Sequence, residues 1–294
     1  MPYPAKITVI TVCLNMARTI EQTIKSVLDQ NYPNLEYIII DGASSDGTLD
    51  IIKKYEGSLA RVVSEPDNGS ADALNKGIRM ASGDIIAFLP ADDFYAPWTL
   101  ETFARAYEDN SGCDVYHGKI VTFDKAETCW KVWAAGSEHE LTDRMNIQLT
   151  AGFLPKRTYD KWGLFDVRIK IPNDWDYILK IYLDGASFHQ IDKVLTARRL
   201  TGMSNQWSQG QWWENYRILA KYVSRKKALL YIGKLYIKYF GINLMKATGT
   251  YGIYKRLKGR KNRGIEISDD HTGDAAPIDV AAMWNAINAG ENSS

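Results

Sequence analysis

The first hundred residues alternate between two hydrophobic periods. KITVITVCLN (6–15) is a short, apolar, β-branched run, and ARTIEQTIKSVLDQ (17–30) then places Ile20, Ile24, Val27 and Leu28 at helical spacing. The alternation repeats. LEYIIID (35–41) reads as a strand ending in a Gly-Ser-Asp turn, and SDGTLDIIKKYEG (45–57) as a helix with Asp46 as its N-cap. RVVSE (61–65) is a short third strand, DALNKGIRMASG (72–83) a helix ending at Gly83, and DIIAFLP (84–90) a fourth strand. Continuous apolar strands separated by amphipathic helices predict an α/β fold, a mostly parallel sheet with helices on both faces. Ligands of such sheets bind beyond the carboxyl ends of the strands. That rule singles out Thr11–Asn15, Asp41–Asp46, Glu65–Ser70 and Pro90–Asp93, which are rich in acids, amides and small residues.

Beyond residue 97 the pattern weakens. GKIVTFD (118–124) and TCWKVWAA (128–135) read as antiparallel strands, LTAGFLPKRTYDKWG (149–163) as a strand entering a helix, NDWDYILKIYLDG (173–185) as a helix and FHQIDKVLTARRL (188–200) as a strand. From Gln211 to about Lys258 the spacing is mainly helical, and no internal repeat is visible.

Composition narrows the class. With 294 residues, 45% of them apolar, the chain has material for a substantial core. Its three cysteines, Cys13, Cys113 and Cys129, are far apart and lack CxxC spacing, so neither a disulfide framework nor a zinc site is expected. No basic leader precedes an apolar h-region, and no stretch of about 18 residues stays apolar. The expected location is therefore cytoplasmic, without a signal peptide or spanning helix.

The net charge of +1 conceals an asymmetry. Residues 221–263 contain 13 basic residues and no acidic one, whereas residues 264–294 contain six acidic and no basic ones. Cations interleaved with Leu, Ile, Tyr and Phe suit the surface of an anionic membrane. A helical cap with its charges in water is the plainer reading of the same block. Nucleic acid is not expected as a partner, because no recognised binding motif accompanies the charge.

FLPADDFYAP (88–97) sets two carboxylates side by side. Adjacent acids repel, and burying them requires a cation or dense hydrogen-bond donors. Neither GxGxxG after the first strand nor GxxxxGK[ST] occurs, so the acidic rim suits a metal-bridged phosphate better than a bare backbone cradle. Mg²⁺ or Mn²⁺ takes one or two carboxylates and completes its shell with phosphate oxygens and water. A polar turn or helix cap is the alternative for Asp92 and Asp93.

ITVCLN, IIIDGASSDGTLDII, SEPDNGSADALNKGIRMASGDIIAFLPADDFYAP and GLFDVRIKIPNDWDYILKI, in that order, resemble the successive motifs of glycosyltransferase family 2 over residues 5–205. The resemblance implies an inverting enzyme with the GT-A, Rossmann-like nucleotide-diphospho-sugar transferase fold. On that basis residues 1–205 are the catalytic domain, with a nucleotide-sugar half of about 1–97 and an acceptor half of about 98–205. Residues 206–263 are a basic, aromatic-rich helical extension, and 264–294 an acidic, loosely ordered tail.

The resemblance further implies that Asp41 faces the base of a nucleotide diphosphate sugar, with Asp46 near the same pocket and Thr11 and Asn15 at the neighbouring strand end. Asp67, Gly69, Asp72 and Lys76 match the segment running under the sugar and diphosphate, although Lys76 also fits a solvated helix lysine. Asp92 and Asp93 match the metal aspartates, and Pro90 replaces the first position of the common DxD spelling, which leaves open which carboxylate is the direct ligand. Asp174 matches the catalytic base, in a segment usually spelled with an acidic pair and here with Asn173; Asp176 is the structural member. Arg198, Arg199 and Thr201–Ser204 match the stretch after the last core strand, where an arginine contacts the diphosphate or lies in solvent.

The resemblance thus implies metal-assisted departure of a nucleoside diphosphate and attack by an acceptor hydroxyl that gives its proton to Asp174. QxxRW, the mark of processive members, is absent, so one sugar per encounter is expected. The acceptor is lipid-linked or a polysaccharide. Trp207, Trp212 and Trp213 are candidates for acceptor stacking, membrane-interface insertion or ordinary packing. A silent glycan-binding or membrane-associated scaffold is the alternative from another class; a sugar nucleotidyltransferase fits less well, because ITVCLNMARTI lacks the Gly-rich loop.

Overall fold

The computed structural model describes residues 5–123, 130–134, 136–200 and 209–251. Its first half alternates strand and helix: β1 (Ile7–Cys13), α1 (Ile20–Leu28), β2 (Leu35–Asp41), α2 (Thr48–Lys53), β3 (Arg61–Ser64), α3 (Ser70–Met80) and β4 (Ile85–Phe88). The second half adds β5 (Phe94–Tyr95), α4 (Thr99–Asp109), β6 (Val115–Phe123), β7 (Trp130–Trp133), β8 (Gly152–Pro155), α5 (Lys156–Trp162), α6 (Asn173–Leu183) and β9 (Phe188–Arg199). Two helices follow, α7 (Gln209–Tyr222) and α8 (Arg225–Ala247).

Among the described residues nine strands form one sheet, ordered β3-β2-β1-β4-β8-β6-β9-β5, with β7 paired to β6. β1 to β4 are mutually parallel, as are β6 and β9, while β8 joins the two halves antiparallel to both β4 and β6. This is the mixed α/β, mostly parallel architecture of the GT-A fold.

Both faces of the sheet are covered, so its strands read as unbroken apolar runs. Ile38 and Ile40 point into one core with Leu74, Ile78 and Phe88; Tyr37 and Ile39 point into the other with Ile24, Val27 and Phe103. Phe103 stacks on Phe153 with ring centroids 4.1 Å apart, which fastens α4 to β8. The hydrophobic pattern left α4 unassigned. Its buried face is only Thr99, Leu100, Phe103 and Ala104, and Trp98 in the N-cap position supplies no capping bond, so neither a wide apolar stripe nor a start signal marks it.

The parallel register fixes where the strands end. Cys13 pairs with Asp41 and Asp41 with Ser64, while Ile10 of β1 pairs with Phe88 of β4. The loops that follow all four strands therefore share one rim. No helix among the described residues is long and apolar enough to cross a membrane. Cys13 and Cys113 are free thiols; Cys129 lies outside the described residues.

Candidate active site

The first wall of the rim is a hydrogen-bonded cage around Asp41. Its carboxylate is wholly buried and accepts from the Ser44 amide (2.9 Å), the Ser44 hydroxyl (2.5 Å) and the Ser64 hydroxyl (2.7 Å). Burial alone would raise its pKa, but these donors outweigh it and hold the carboxyl below the usual range. Asn15, in the left-handed region at φ 55°, accepts from the Ser45 amide (2.9 Å), and its own amide donates to Ser44 Oγ (2.7 Å). Asp46 accepts from the Ala17 amide (3.0 Å) and the Thr48 amide (3.1 Å). The N-cap of α2 is nevertheless Gly47, at φ 93°, one residue later than the pattern predicts. Thr11 does not reach the rim: it is 0% exposed, and its hydroxyl pairs with Tyr37 Oη at 2.9 Å.

The second wall is the turn into α3. Asp67 accepts from the Gly69 amide (2.8 Å), and Asp72 accepts from the Asn68 amide (3.0 Å), which lowers the Asp72 pKa. Gly42 allows the two loops to approach, because a Cβ there would lie 2.7 Å from Asp67 Oδ2. Lys76 donates to Glu65 (2.8 Å) and to the Pro66 carbonyl (3.1 Å), so its ammonium is tied to the loop preceding its own helix.

The third element is the acid pair after β4. Asp93 is buried at 3% exposure and accepts from the Arg199 amide at 3.0 Å. Burial, with the neighbouring Asp92 charge, pushes its pKa far above the carboxylate range. Asp92 is half-buried and also raised by burial, against the pull of Arg198 and Arg199. Arg199 is built into the wall: it donates to the Asp92 carbonyl (3.3 Å) and Gln22 (2.8 Å) and lies over the Phe123 ring at 4.6 Å. Arg198 donates to Gln148 at 2.9 Å.

No group of three or more His, Cys, Asp and Glu side chains suited to a metal forms among the described residues. The chemistry of the pair still fits a hard divalent cation that draws its remaining ligands from phosphate and water. Two carboxyls lie side by side with pKa values that burial raises in spite of the neighbouring Arg198 and Arg199. One Asp93 oxygen already accepts from the Arg199 amide.

Asp174 occupies the first turn of α6. Its Oδ1 accepts from the Trp175 amide (2.8 Å), and burial raises its pKa against the opposing effects of that amide and of Arg198. The positive charge of Arg198 bears on Asp92, Asp93 and Asp174 alike, lowering each pKa against the effect of burial. Asp176 turns the other way: it is 3% exposed, with Lys221 of α7 at 3.5 Å.

The segment before α6 is held from two sides. Asn173 Nδ2 donates to Ser70 Oγ (2.8 Å) and Lys170 Nζ to the Asn68 carbonyl (2.5 Å), both at the start of α3. Glu214 of α7 accepts from the Lys170 amide (2.9 Å) and the Ile171 amide (3.0 Å). Lys170, Gln22, Gln148 and Glu214 were not legible as site residues. Each acts through a contact across the fold, and no local motif surrounds it. Trp212 packs edge-on against Tyr239 at 5.3 Å and Trp213 stacks on Tyr216 at 5.2 Å. Trp207, Thr201–Ser204 and residues 252–294 lie outside the described residues.

Comparison with known proteins identifies the lineage. Residues 8–165 match the model for glycosyl transferase family 2. A PGL/p-HBAD biosynthesis glycosyltransferase of Mycobacterium tuberculosis is 26% identical over 198 residues, covering 65% of this chain and 76% of the relative. The putative teichuronic acid biosynthesis glycosyltransferase TuaG of Bacillus subtilis is 43% identical over 98 residues, 32% of this chain and 39% of the relative. Among solved structures, S. aureus TarS 1–349 in complex with UDP-GlcNAc superposes with a TM-score of 0.59 at 18% identity, over 75% of this chain and 72% of that one. The mannosyltransferase PcManGT of Pyrobaculum calidifontis, in complex with GDP-Man and Mn²⁺, gives 0.59 at 18% identity over 89% and 88%. At such identities the two structures establish the fold.

Proposed function

Because the chain belongs to glycosyl transferase family 2, we propose that it moves one sugar from a nucleotide diphosphate sugar to a hydroxyl of a lipid-linked or polysaccharide acceptor, with inversion at the anomeric carbon. The observation that carries this reading is that the acid pair after β4 is tied to the end of β9 by the bond from the Arg199 amide to Asp93 at 3.0 Å, with the charge of the adjacent Arg198 bearing on Asp92, Asp93 and Asp174. The solved neighbours bound to UDP-GlcNAc and to GDP-Man with Mn²⁺ support the donor class, and relatives named for teichuronic acid and PGL/p-HBAD biosynthesis support the acceptor class.

In this reading the loop that Asp41 braces from within receives the base, with Asn15 and Asp46 fixing the loops around it, and the Asp67–Gly69 turn lies under the sugar and diphosphate. Asp72 and Lys76 brace that turn. Thr11 contributes from inside the sheet, by holding Tyr37. Asp92, supported by Asp93, holds Mg²⁺ or Mn²⁺, which when bound stabilises charge on the departing diphosphate. Arg198 and Arg199 add fixed positive charge beside it. Asp174 takes the proton of the acceptor hydroxyl, worth about 10² to 10⁴ in rate. Its raised pKa makes it a stronger base than an exposed carboxylate, and no covalent nucleophile is required.

The exposed apolar residues of α8, among them Leu230, Ile237, Phe240 and Leu244, are interleaved with Lys226, Lys234, Lys238 and Lys246. That combination supports a peripheral position on an anionic membrane, the inner face of the cell membrane, with each cation contributing about 1 kcal/mol. Flotation with anionic liposomes tests this, and an Ile237→Asp/Phe240→Asp variant that floats like the wild type would remove it.

The test of the activity itself is nucleoside diphosphate release from a panel of nucleotide sugars with Mg²⁺ or Mn²⁺. Asp174→Asn should abolish turnover and spare donor binding, whereas Asp92→Ala with Asp93→Ala should weaken metal-dependent donor binding. A scaffold would show no turnover with any donor.

A further inference from the structure

The segment before α6, with α6, α7 and the start of α8, lines an open cavity of about 490 Å³, whose lining includes none of Asp92, Asp93 and Asp174. Its charged walls are Asp166, Arg168, Asp176, Arg217, Lys221 and Arg225. Two of the four cations are matched. Arg168 forks onto Asp166 at 2.7 and 2.9 Å, and Lys221 lies 3.5 Å from Asp176. Arg217 of α7 and Arg225 at the start of α8 have no carboxylate within ion-pair distance among the described residues, and both are exposed. Two guanidiniums without a carboxylate partner thus line the same concave wall. Their planar donor forks match the tetrahedral oxygens of phosphate bidentately.

We propose that this cavity binds a phosphate or diphosphate group. The volume falls within the range of about 300–1,000 Å³ typical of ligand sites and leaves room for more than the anion alone. Leu229 and Leu230, exposed at 62% and 58%, follow Arg225 on α8 and give apolar surface close by. A lipid phosphate would place its chains against such residues; a soluble diphosphate would not use them. Assigning the anion to a lipid rests on the membrane reading given above, whereas the anion site itself does not.

Calorimetric titration of inorganic pyrophosphate into the full chain, without divalent cations, tests the site. Wild type should bind saturably, Arg217→Ala/Arg225→Ala at least tenfold more weakly, and Lys234→Ala/Lys238→Ala like the wild type; matching melting curves exclude misfolding. Phosphatidylcholine vesicles containing phosphatidic acid that displace the pyrophosphate identify a lipid headgroup as occupant, and vesicles without effect assign a soluble phosphoanion. Equal binding by wild type and the arginine variant, or no binding by either, overturns the proposal. Nucleoside diphosphate release is read separately, so an inactive enzyme that still binds pyrophosphate would refute the transferase reading and leave this site standing.

Discussion

The side-chain amide of Asn173 donates to the hydroxyl of Ser70 at 2.8 Å, a bond across 103 positions of sequence. It joins the first turn of α6 to the first turn of α3, and so ties the segment carrying Asp174 to the turn carrying Gly69. Two helix N-termini meet there, and both favour negative charge.

Breaking that bond should loosen the base relative to the donor. We expect Asn173→Ala or Ser70→Ala to lower kcat by about tenfold, with KM for the donor changed less, because misplacement by about 1 Å can cost up to 10² in rate. The double variant should be little worse than either single one. Additive losses in steady-state kinetics would show that the two residues act independently.

Glu214 should matter although it lies outside the matched family region. Its carboxylate accepts two consecutive amides at 2.9 and 3.0 Å, and Glu214→Ala leaves both without that partner. The loss of these charge-assisted bonds should cost about 2 kcal/mol of stability. Turnover should fall more than donor affinity, with Glu214→Gln retaining part of it; thermal melts and kinetics on the same preparations check both.

The pH profile should carry the signature of Asp174. A base must be ionised to act, and burial raises this carboxyl above the usual range. Activity should therefore be lost as pH falls through that raised pKa, giving an acid limb in kcat/KM above the range of exposed carboxylates. Strengthening the positive field would shift the limb down, and Arg198→Gln should shift it up.

Stability should depend on pH through His117. The ring is 1% exposed, neither nitrogen has a hydrogen-bond partner among the described residues, and burial pulls its pKa from 6.5 to about 4. The unfolded chain thus takes up the proton first. Stability should be complete above about pH 6.5 and fall as pH drops toward 4, by about 3 kcal/mol in all. Urea unfolding at several pH values should show that slope, and His117→Phe should flatten it.

The sequence by itself determined the strand–helix alternation from β1 to β4 and the rim on which their loops lie. Period and burial are local consequences of chain chemistry, and a parallel register leaves few ways to arrange them. It also made Asp41, Asp92 and Asp93 legible as candidates, since each ends an apolar strand or follows one, whereas Asp174 stood out only through the resemblance to glycosyltransferase family 2. The tertiary structure decided what those side chains meet. Thr11 is drawn inward by Tyr37, Lys76 is taken up by Glu65, Asp93 gives an oxygen to Arg199, and Asp176 turns to Lys221. Each of these is a contact whose partner the local pattern does not name. α4 and Glu214 were hidden for the same reason, because a narrow buried face and a lone acid acquire meaning only when Phe153 or the Lys170–Ile171 amides are brought against them.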